Sequence, residues 1–336
     1  MAKQALKGVL STIGNTPLVE LVHLFPDFPA RVFAKLERFN PGGSIKDRSA
    51  LSMLLERIHS GDLVPGRSVV IESSSGNLAI GIAQICGYYG IDFVCVVDAK
   101  TTEQNVAILR AFGASIELVT ERDAETGEYL PARLRRVAEL VASTPNAYCP
   151  NQYANPLNPL AHEGTMREIV EALDGPVDYL FSAASTFGTA LGASRFARRS
   201  GLSTRIVAVD AVGSLLFGTV PGQRLIPGHG ASIRPALLDP SAADDVVHVT
   251  DLECVVACRT LTIREAILGG GSSGATVAAL GKMRDTIPEG SNVVMIFPDG
   301  GDRYLDTIYS DSWVNRHFGE VSHLWKENSS TKVAPC

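Results

Sequence analysis

The chain has 336 residues, of which 45% are hydrophobic and 20% charged, and its formal net charge is -6. That length is more than one ordinary core encloses and calls for two lobes or one large α/β unit. The acidic balance leaves no basic footprint for nucleic acid, and no apolar run approaches the roughly 20 residues that span a bilayer.

Taken from the start, MAKQALKGVL has neither the apolar core nor the cleavage site of a signal peptide, so a cytoplasmic location is expected. Short apolar, β-branched runs predict strands at residues 31–37, 68–72, 92–97, 115–119, 177–181, 205–209, 246–249 and 292–297. Helical patterns lie between many of them, at 77–88, 103–112 and 131–142 among others. Strands alternating with helices predict parallel βαβ units. The near-continuous hydrophobicity of the strands fits a sheet covered on both faces. Residues 213–240 are rich in Gly and Pro and read as one long irregular loop, of the kind that serves as a lid or binding segment. The end of the chain is polar and is expected to be loose.

Six cysteines are scattered through the chain. Cys254 and Cys258 have i,i+4 spacing, but no further ligands of suitable spacing accompany them. No metal is expected, and buried reduced thiols are.

The chemistry-bearing stretches begin with NPGGSIKDR, where Lys46 falls at the predicted start of a helix. A cation in a first turn opposes the helix macrodipole, so that lysine is expected to be used. Three Gly/Ser-rich turns then precede helices: ESSSGNLAIG, SAASTFGTALG and LGGGSSGATVAAL. In open α/β sheets ligands gather at the C-terminal ends of strands, where exposed backbone N–H groups and helix N-termini favour anions. None of the turns is a Walker loop or a clean GxGxxG. Ser185, Thr186, Gly188 and Thr189 suit a phosphate monoester, and Ser74, Ser75 and Asn77 suit a carboxylate and a ring oxygen. A lysine beside such groups points to an amine that condenses with a carbonyl cofactor.

Together these stretches resemble the cysteine synthase and cystathionine β-synthase family of fold-type II enzymes, which use pyridoxal 5'-phosphate (PLP). IGNTPLVEL, NPGGSIKDR, SSSGNLAIG, NQYANPLNPLAHEGTMREI, STFGT, GGGSSGA and PDGGDRYL carry the likeness, in that order. It implies an α/β fold like the tryptophan synthase β subunit, with two lobes each built on a twisted, mainly parallel sheet flanked by helices and with PLP between them. Residues 44–155 are then a smaller mobile lobe with the substrate loop, 10–43 plus 156–325 a larger PLP-binding lobe, and 326–336 a loose tail. The resemblance implies Lys46 as the cofactor lysine and catalytic base. It implies cofactor contacts from Asn77, from Ser185, Thr186, Phe187, Gly188 and Thr189 at the phosphate, and from Ser272 at the pyridine nitrogen. Ser74, Ser75, Gly76 and Gln152 are implied at the substrate carboxylate, and a homodimer is implied.

The sequence departs from plain cysteine synthases at Leu78, where they carry threonine, and at Phe187, within their Gly-Thr-Gly-Gly-Thr loop. It departs again at PGHGASIRP, which adds His229 and Arg234. These features, with VVDAKTTEQN, GEYLPARL, VDAVGSLLFG and PDGGDRYLDTIYSDSW, resemble the branch that makes N-(2-amino-2-carboxyethyl)-L-glutamate from O-phospho-L-serine and L-glutamate. In that branch a downstream oxidative enzyme releases L-2,3-diaminopropionate for siderophore or peptide-antibiotic biosynthesis. Small amino acids are thus the expected partners, and Arg133, Arg224 and Arg234 are candidates for their extra anionic groups. The alternative is a cysteine synthase that uses O-phosphoserine or O-acetylserine with sulfide.

Overall fold

The structure is a computed structural model that describes residues 6–218 and 220–326. The expected loose tail lies, but for Lys326, outside the described residues, as does Cys336. In chain order the elements begin with β1 (Leu18–Glu20), β2 (Arg31–Leu36), α1 (Lys46–His59), β3 (Val69–Ser73) and α2 (Asn77–Tyr89). They continue with β4 (Asp92–Asp98), α3 (Glu103–Ala111), β5 (Ser115–Val119), α4 (Tyr129–Ser143), β6 (Ala147–Tyr148) and α5 (Leu157–Ala172). Then come β7 (Tyr179–Ala183), α6 (Gly188–Arg199), β8 (Arg205–Ala211), β9 (Asp245–Val249), α7 (Asp251–Glu265) and α8 (Gly271–Met283). The series closes with β10 (Asn292–Phe297), α9 (Asp311–Phe318) and α10 (His323–Lys326).

The chain separates into two compact units, one of residues up to Gly14 plus 40–161 and one of 15–39 plus His162 onward. The first holds a four-stranded sheet in the order β5-β4-β3-β6, every pair parallel. Its buried apolar residues include Met53 and Leu54 of α1, Ile82 and Ile85 of α2, and Phe93 and Val97 of β4. Gly81 on α2 permits the close approach of α1, since a Cβ there would sit 3.1 Å from the Ala50 Cβ and 3.3 Å from the Lys46 carbonyl oxygen. The second unit holds a six-stranded sheet in the order β1-β2-β10-β7-β8-β9, parallel except for the β1–β2 pair. All six residues of β10 are buried, which accounts for the unbroken hydrophobicity of NVVMIF. Helices α7 and α8 pack so closely there that a Cβ on Gly274 would lie 2.4 Å from the Cys254 carbonyl oxygen.

The structure carries the predicted alternation of strands and helices, and the family's parallel α/β architecture is confirmed. β7 begins at Tyr179, not at 177, because Asp178 just before it is engaged in closing the strand end: its carboxylate accepts the Asn292 N–H at 2.7 Å. The described residues of 213–239 contain no helix or strand, as the Gly/Pro content predicts. Cys254 and Cys258 are buried free thiols, and burial pushes the Cys258 thiol up to about 12.

Candidate active site

In the first unit the motif NPGGSIKDR folds as a turn running into α1. Gly43 has φ +83, a conformation that glycine adopts without strain. The Asp47 carboxylate accepts the Gly42 N–H, so close that a Cβ on Gly42 would stand 2.5 Å from Oδ1. Lys46 is the first helical residue and is half-buried; the cap position before it, Ile45, has no capping side chain. Asp47 and Arg48, by contrast, are buried.

The loop after β3 presents Ser74, Ser75, Gly76 and Asn77. Ser74 is buried, and its Oγ accepts the Ala79 N–H at 3.3 Å. The Ser75 carbonyl accepts the Asn105 side-chain amide at 2.9 Å, which ties the loop to α3. Gly76 caps α2 without a side-chain hydrogen bond, and a Cβ built on it meets nothing within 4 Å. The loop therefore opens outward from Gly76 while its other members are held from behind. Leu78 points the other way and belongs to the apolar core.

Gln152 is buried in the turn after Asn151, a residue with φ +49. Its carbonyl accepts the Asn158 amide at 2.8 Å, and Asn158 accepts the Ser49 hydroxyl of α1 at 2.9 Å. Next to last in β3, Glu72 is 1% exposed, with its Oε1 accepting the Ser73 N–H at 2.9 Å. Burial pushes its pKa up to about 7, against the backbone N–H groups of Ser73, Asn151 and Gln152 and the charge of Arg133. Arg133 is itself buried on α4, its Nε 3.2 Å from Asp98 Oδ2.

In the second unit, β7 ends in the loop that carries Ser185 and Thr186, and α6 starts at Gly188 followed by Thr189. Thr186 and Gly188 are buried, while Ser185 and Thr189 are partly open. Phe187, the cap residue of α6, has φ +69, which is strained for a bulky side chain. Its ring is 2% exposed and meets Phe217 edge-on at 5.8 Å. Phe217 lies in the loop after β8. Asp210 organises that loop: it is fully buried, accepts the Ala211 N–H at 2.8 Å and is hydrogen-bonded to Ser214, while burial raises its pKa. Ser214 Oγ in turn accepts the Ala231 N–H at 3.0 Å.

Ser272 is the second residue of α8 and is buried. The PGHG turn lies against it: a Cβ on Gly228 would be 3.3 Å from Ser272 Oγ. His229 is buried with Nε2 3.6 Å from the Cys254 thiol, and burial, with the charge of Arg224, holds its pKa down at about 4. Arg224 is sewn into its own loop, donating to the His229 carbonyl at 3.1 Å and to Ser232 Oγ at 2.8 Å. Arg234 is exposed.

These residues fit PLP. The first turn of α6 has no side-chain cap, so its N–H groups and the Ser185, Thr186 and Thr189 hydroxyls suit a phosphate. The absence of a side chain at Gly228 keeps space beside the Ser272 hydroxyl. Lys46, in the first unit, is an amine of the kind PLP condenses with. Glu72, Asp210 and Phe217 lie within the quoted stretches ESSSGNLAIG and VDAVGSLLFG, but the sequence patterns assign them no role. An acidic residue one short of the end of an otherwise apolar strand is the signal that marks the first two. Phe217 has no such signal.

The Phe187 backbone and ring oppose one another energetically. Replacement by glycine removes a buried phenyl at a cost of about 3–5 kcal/mol and relieves left-handed strain of about 1–2 kcal/mol. Phe187→Gly is thus expected to lower stability by about 1–4 kcal/mol in denaturant titration; an equally or more stable variant contradicts this account of the cap.

Comparison with known proteins bears on the whole chain. Residues 9–299 match the family model described as pyridoxal-phosphate dependent enzyme. The N-(2-amino-2-carboxyethyl)-L-glutamate synthase of Ralstonia nicotianae is 47% identical over 92% of this chain and 91% of its own. The protein of the same name from Cupriavidus metallidurans is 46% identical over the same shares. Among solved structures, the cysteine synthase of Entamoeba histolytica superposes with a TM-score of 0.85 at 32% identity, covering 92% of each chain. The chain belongs to the family of pyridoxal-phosphate dependent enzymes.

Proposed function

We propose that the protein is a PLP-dependent β-replacement synthase that joins O-phospho-L-serine and L-glutamate into N-(2-amino-2-carboxyethyl)-L-glutamate, with release of phosphate. The observation that carries this reading is the 47% identity, across nearly the full length of both chains, to a relative bearing that synthase name. PLP, when bound, supplies the electron sink that makes the α-proton of an amino acid removable.

The chain's own residues do the rest. Lys46 holds the cofactor, and its released amine takes the α-proton and later returns it to the same carbon. The β-carbon–oxygen bond breaks with its electron pair going to phosphate, and the neutral amine of glutamate forms the new carbon–nitrogen bond and gives up a proton. Ser185, Thr186, Phe187, Gly188 and Thr189 hold the cofactor phosphate at the open start of α6. Asn77 donates to the ring oxygen. Ser272 offers the ring nitrogen a neutral hydroxyl, which does not hold it protonated and so favours loss of a β-substituent over reactions that need a stronger sink. Ser74, Ser75, Gly76 and Gln152 hold the substrate carboxylate. Arg133, Arg224 and Arg234 answer the further anionic groups of the two substrates. We also infer a cytoplasmic homodimer whose product passes to an oxidative enzyme that releases L-2,3-diaminopropionate for a siderophore or peptide antibiotic.

Supplying the holoenzyme with O-phosphoserine, glutamate and sulfide together and analysing the products by mass spectrometry tests the reaction. The glutamate adduct is expected. Cysteine as the sole product contradicts the proposal and makes the protein a phosphoserine-using cysteine synthase.

Alanine variants of Arg133, Arg224 and Arg234 are expected to keep bound PLP. Each should raise KM for phosphoserine or glutamate by about tenfold, the effect of removing one charge-assisted hydrogen bond. Unchanged KM in all of them removes the arginines from the site.

A further inference from the structure

Glu72 opens the stretch ESSSGNLAIG but has no part in the chemistry assigned to that stretch, and it adjoins both segments assigned to the substrate carboxylate. It is the next-to-last residue of β3, before Ser73 and the loop that starts at Ser74, and Ser73 donates its N–H to Oε1 at 2.9 Å. β3 pairs in parallel with β6, Val70 opposite Tyr148, which brings the turn after β6 alongside Glu72, and the backbone N–H groups of Asn151 and Gln152 face the same carboxylate. One buried side chain therefore stands between the β3–α2 loop and the turn that carries Gln152.

Nothing about this arrangement resembles ordinary core filling. Glu72 is 1% exposed, and its Oε2 is buried without a hydrogen-bond partner. Ser73 Oγ and the Arg133 Nε and Nη1 atoms are likewise buried without one. A buried carboxylate costs free energy unless a role or a partner offsets it, and an apolar residue would close an ordinary strand here as it does in β10. The charged and titratable groups around Glu72 come from three other segments: Arg133 on α4, with Asp98 at the end of β4 behind it, Cys95 on β4, and Cys149 after β6. Only Arg133 among them carries a compensating positive charge.

We propose that Glu72 is a positioning residue for the amino-acid substrate: its buried carboxylate, bonded to the Ser73 N–H and facing the N–H groups of the Gln152 turn, sets the spacing of the two segments, and with it the grip on the substrate carboxylate. This rests on the assignment of Ser74, Ser75, Gly76 and Gln152 to that carboxylate. Loss of Glu72 frees the two loops from one another without touching the cofactor phosphate loop or Lys46.

The test is binding by the holoenzyme, read from the change in cofactor absorbance as ligand is added. L-serine is the probe, because its carboxylate is gripped whichever donor and nucleophile the enzyme uses. L-serine methyl ester, which lacks the charged carboxylate, is the control. Glu72→Ala is expected to keep full cofactor content, to bind L-serine about tenfold more weakly, and to bind the ester as the wild type does. Glu72→Gln keeps the volume but turns an amide donor toward N–H donors, so a loss of at least about fivefold is expected; this variant decides the matter if the alanine variant does not fold. Gln152→Ala checks the carboxylate assignment separately. Unchanged L-serine binding in the Glu72 variants, with Gln152→Ala weakened, overturns the role of Glu72. Unchanged binding in all of them overturns both that role and the assignment of these loops to the carboxylate. Equal weakening of L-serine and its ester also overturns the proposal, since a general loosening of the fold does not discriminate between them.

Discussion

The first turn of a helix leaves backbone N–H groups without partners, and what satisfies them divides this structure into scaffold and site. Helices α3, α7 and α9 are closed by their own side chains, Thr102, Thr250 and Ser310, with a full capping box at Thr250 and Glu253. Helices α1, α2, α6 and α8 begin without a side-chain cap, at Ile45, Gly76, Phe187 and Gly270. Those are the helices that carry Lys46, Asn77, Gly188 with Thr189, and Ser272, the residues proposed for the cofactor. An open N-terminus is not enough by itself, since α4 also lacks a side-chain cap. What sets the four apart is that each is preceded by a glycine- or serine-rich turn whose remaining groups are held from behind. At α1 and α2 a serine of the turn takes one of these donors, Ser44 Oγ from the Lys46 N–H at 3.2 Å and Ser74 Oγ from the Ala79 N–H at 3.3 Å, whereas no side-chain cap is made at α6 or α8, where the donors suit an anion.

A second pattern concerns charge. Several ionisable groups are buried, and each has an identifiable countermeasure. Lys35, at 1% exposure, pairs with Glu168 at 2.8 Å and donates to the Thr16 carbonyl at 2.7 Å. Asp210 is met by Ser214 and the Ala211 N–H and so holds the loop after β8. His229 is kept neutral by burial, which removes a positive charge from the turn that rests on Ser272. Glu72 has one oxygen on the Ser73 N–H and the other buried without a hydrogen-bond partner, with the charge of Arg133 facing it.

Much of this was legible in the sequence because it is encoded locally. The strands at 92–97, 115–119 and 292–297 show themselves through β-branched runs, and the structure places strands there with at most one residue added. The Gly/Ser turns announce their helices for the same reason. What the sequence did not yield depends on partners far along the chain. β1 and β6 are too short for any periodicity and exist through pairing with β2 and β3. The burial of Arg133 depends on Asp98, which no spacing rule connects to it. Leu78 stands where related synthases carry a polar residue, yet it fills core, so its bearing on substrate choice cannot be read from its side chain type. Phe187 stands out as a non-glycine residue in a glycine-rich loop, but its ring partner Phe217 emerges only from the fold.

The central claim is that Lys46, the first residue of α1, is the residue that carries the cofactor. Borohydride reduction of the holoenzyme followed by peptide mapping measures this directly. The account predicts a pyridoxyl label on the peptide that contains Lys46 and on no other lysine. A label elsewhere, or none on a protein that nonetheless binds PLP, contradicts it.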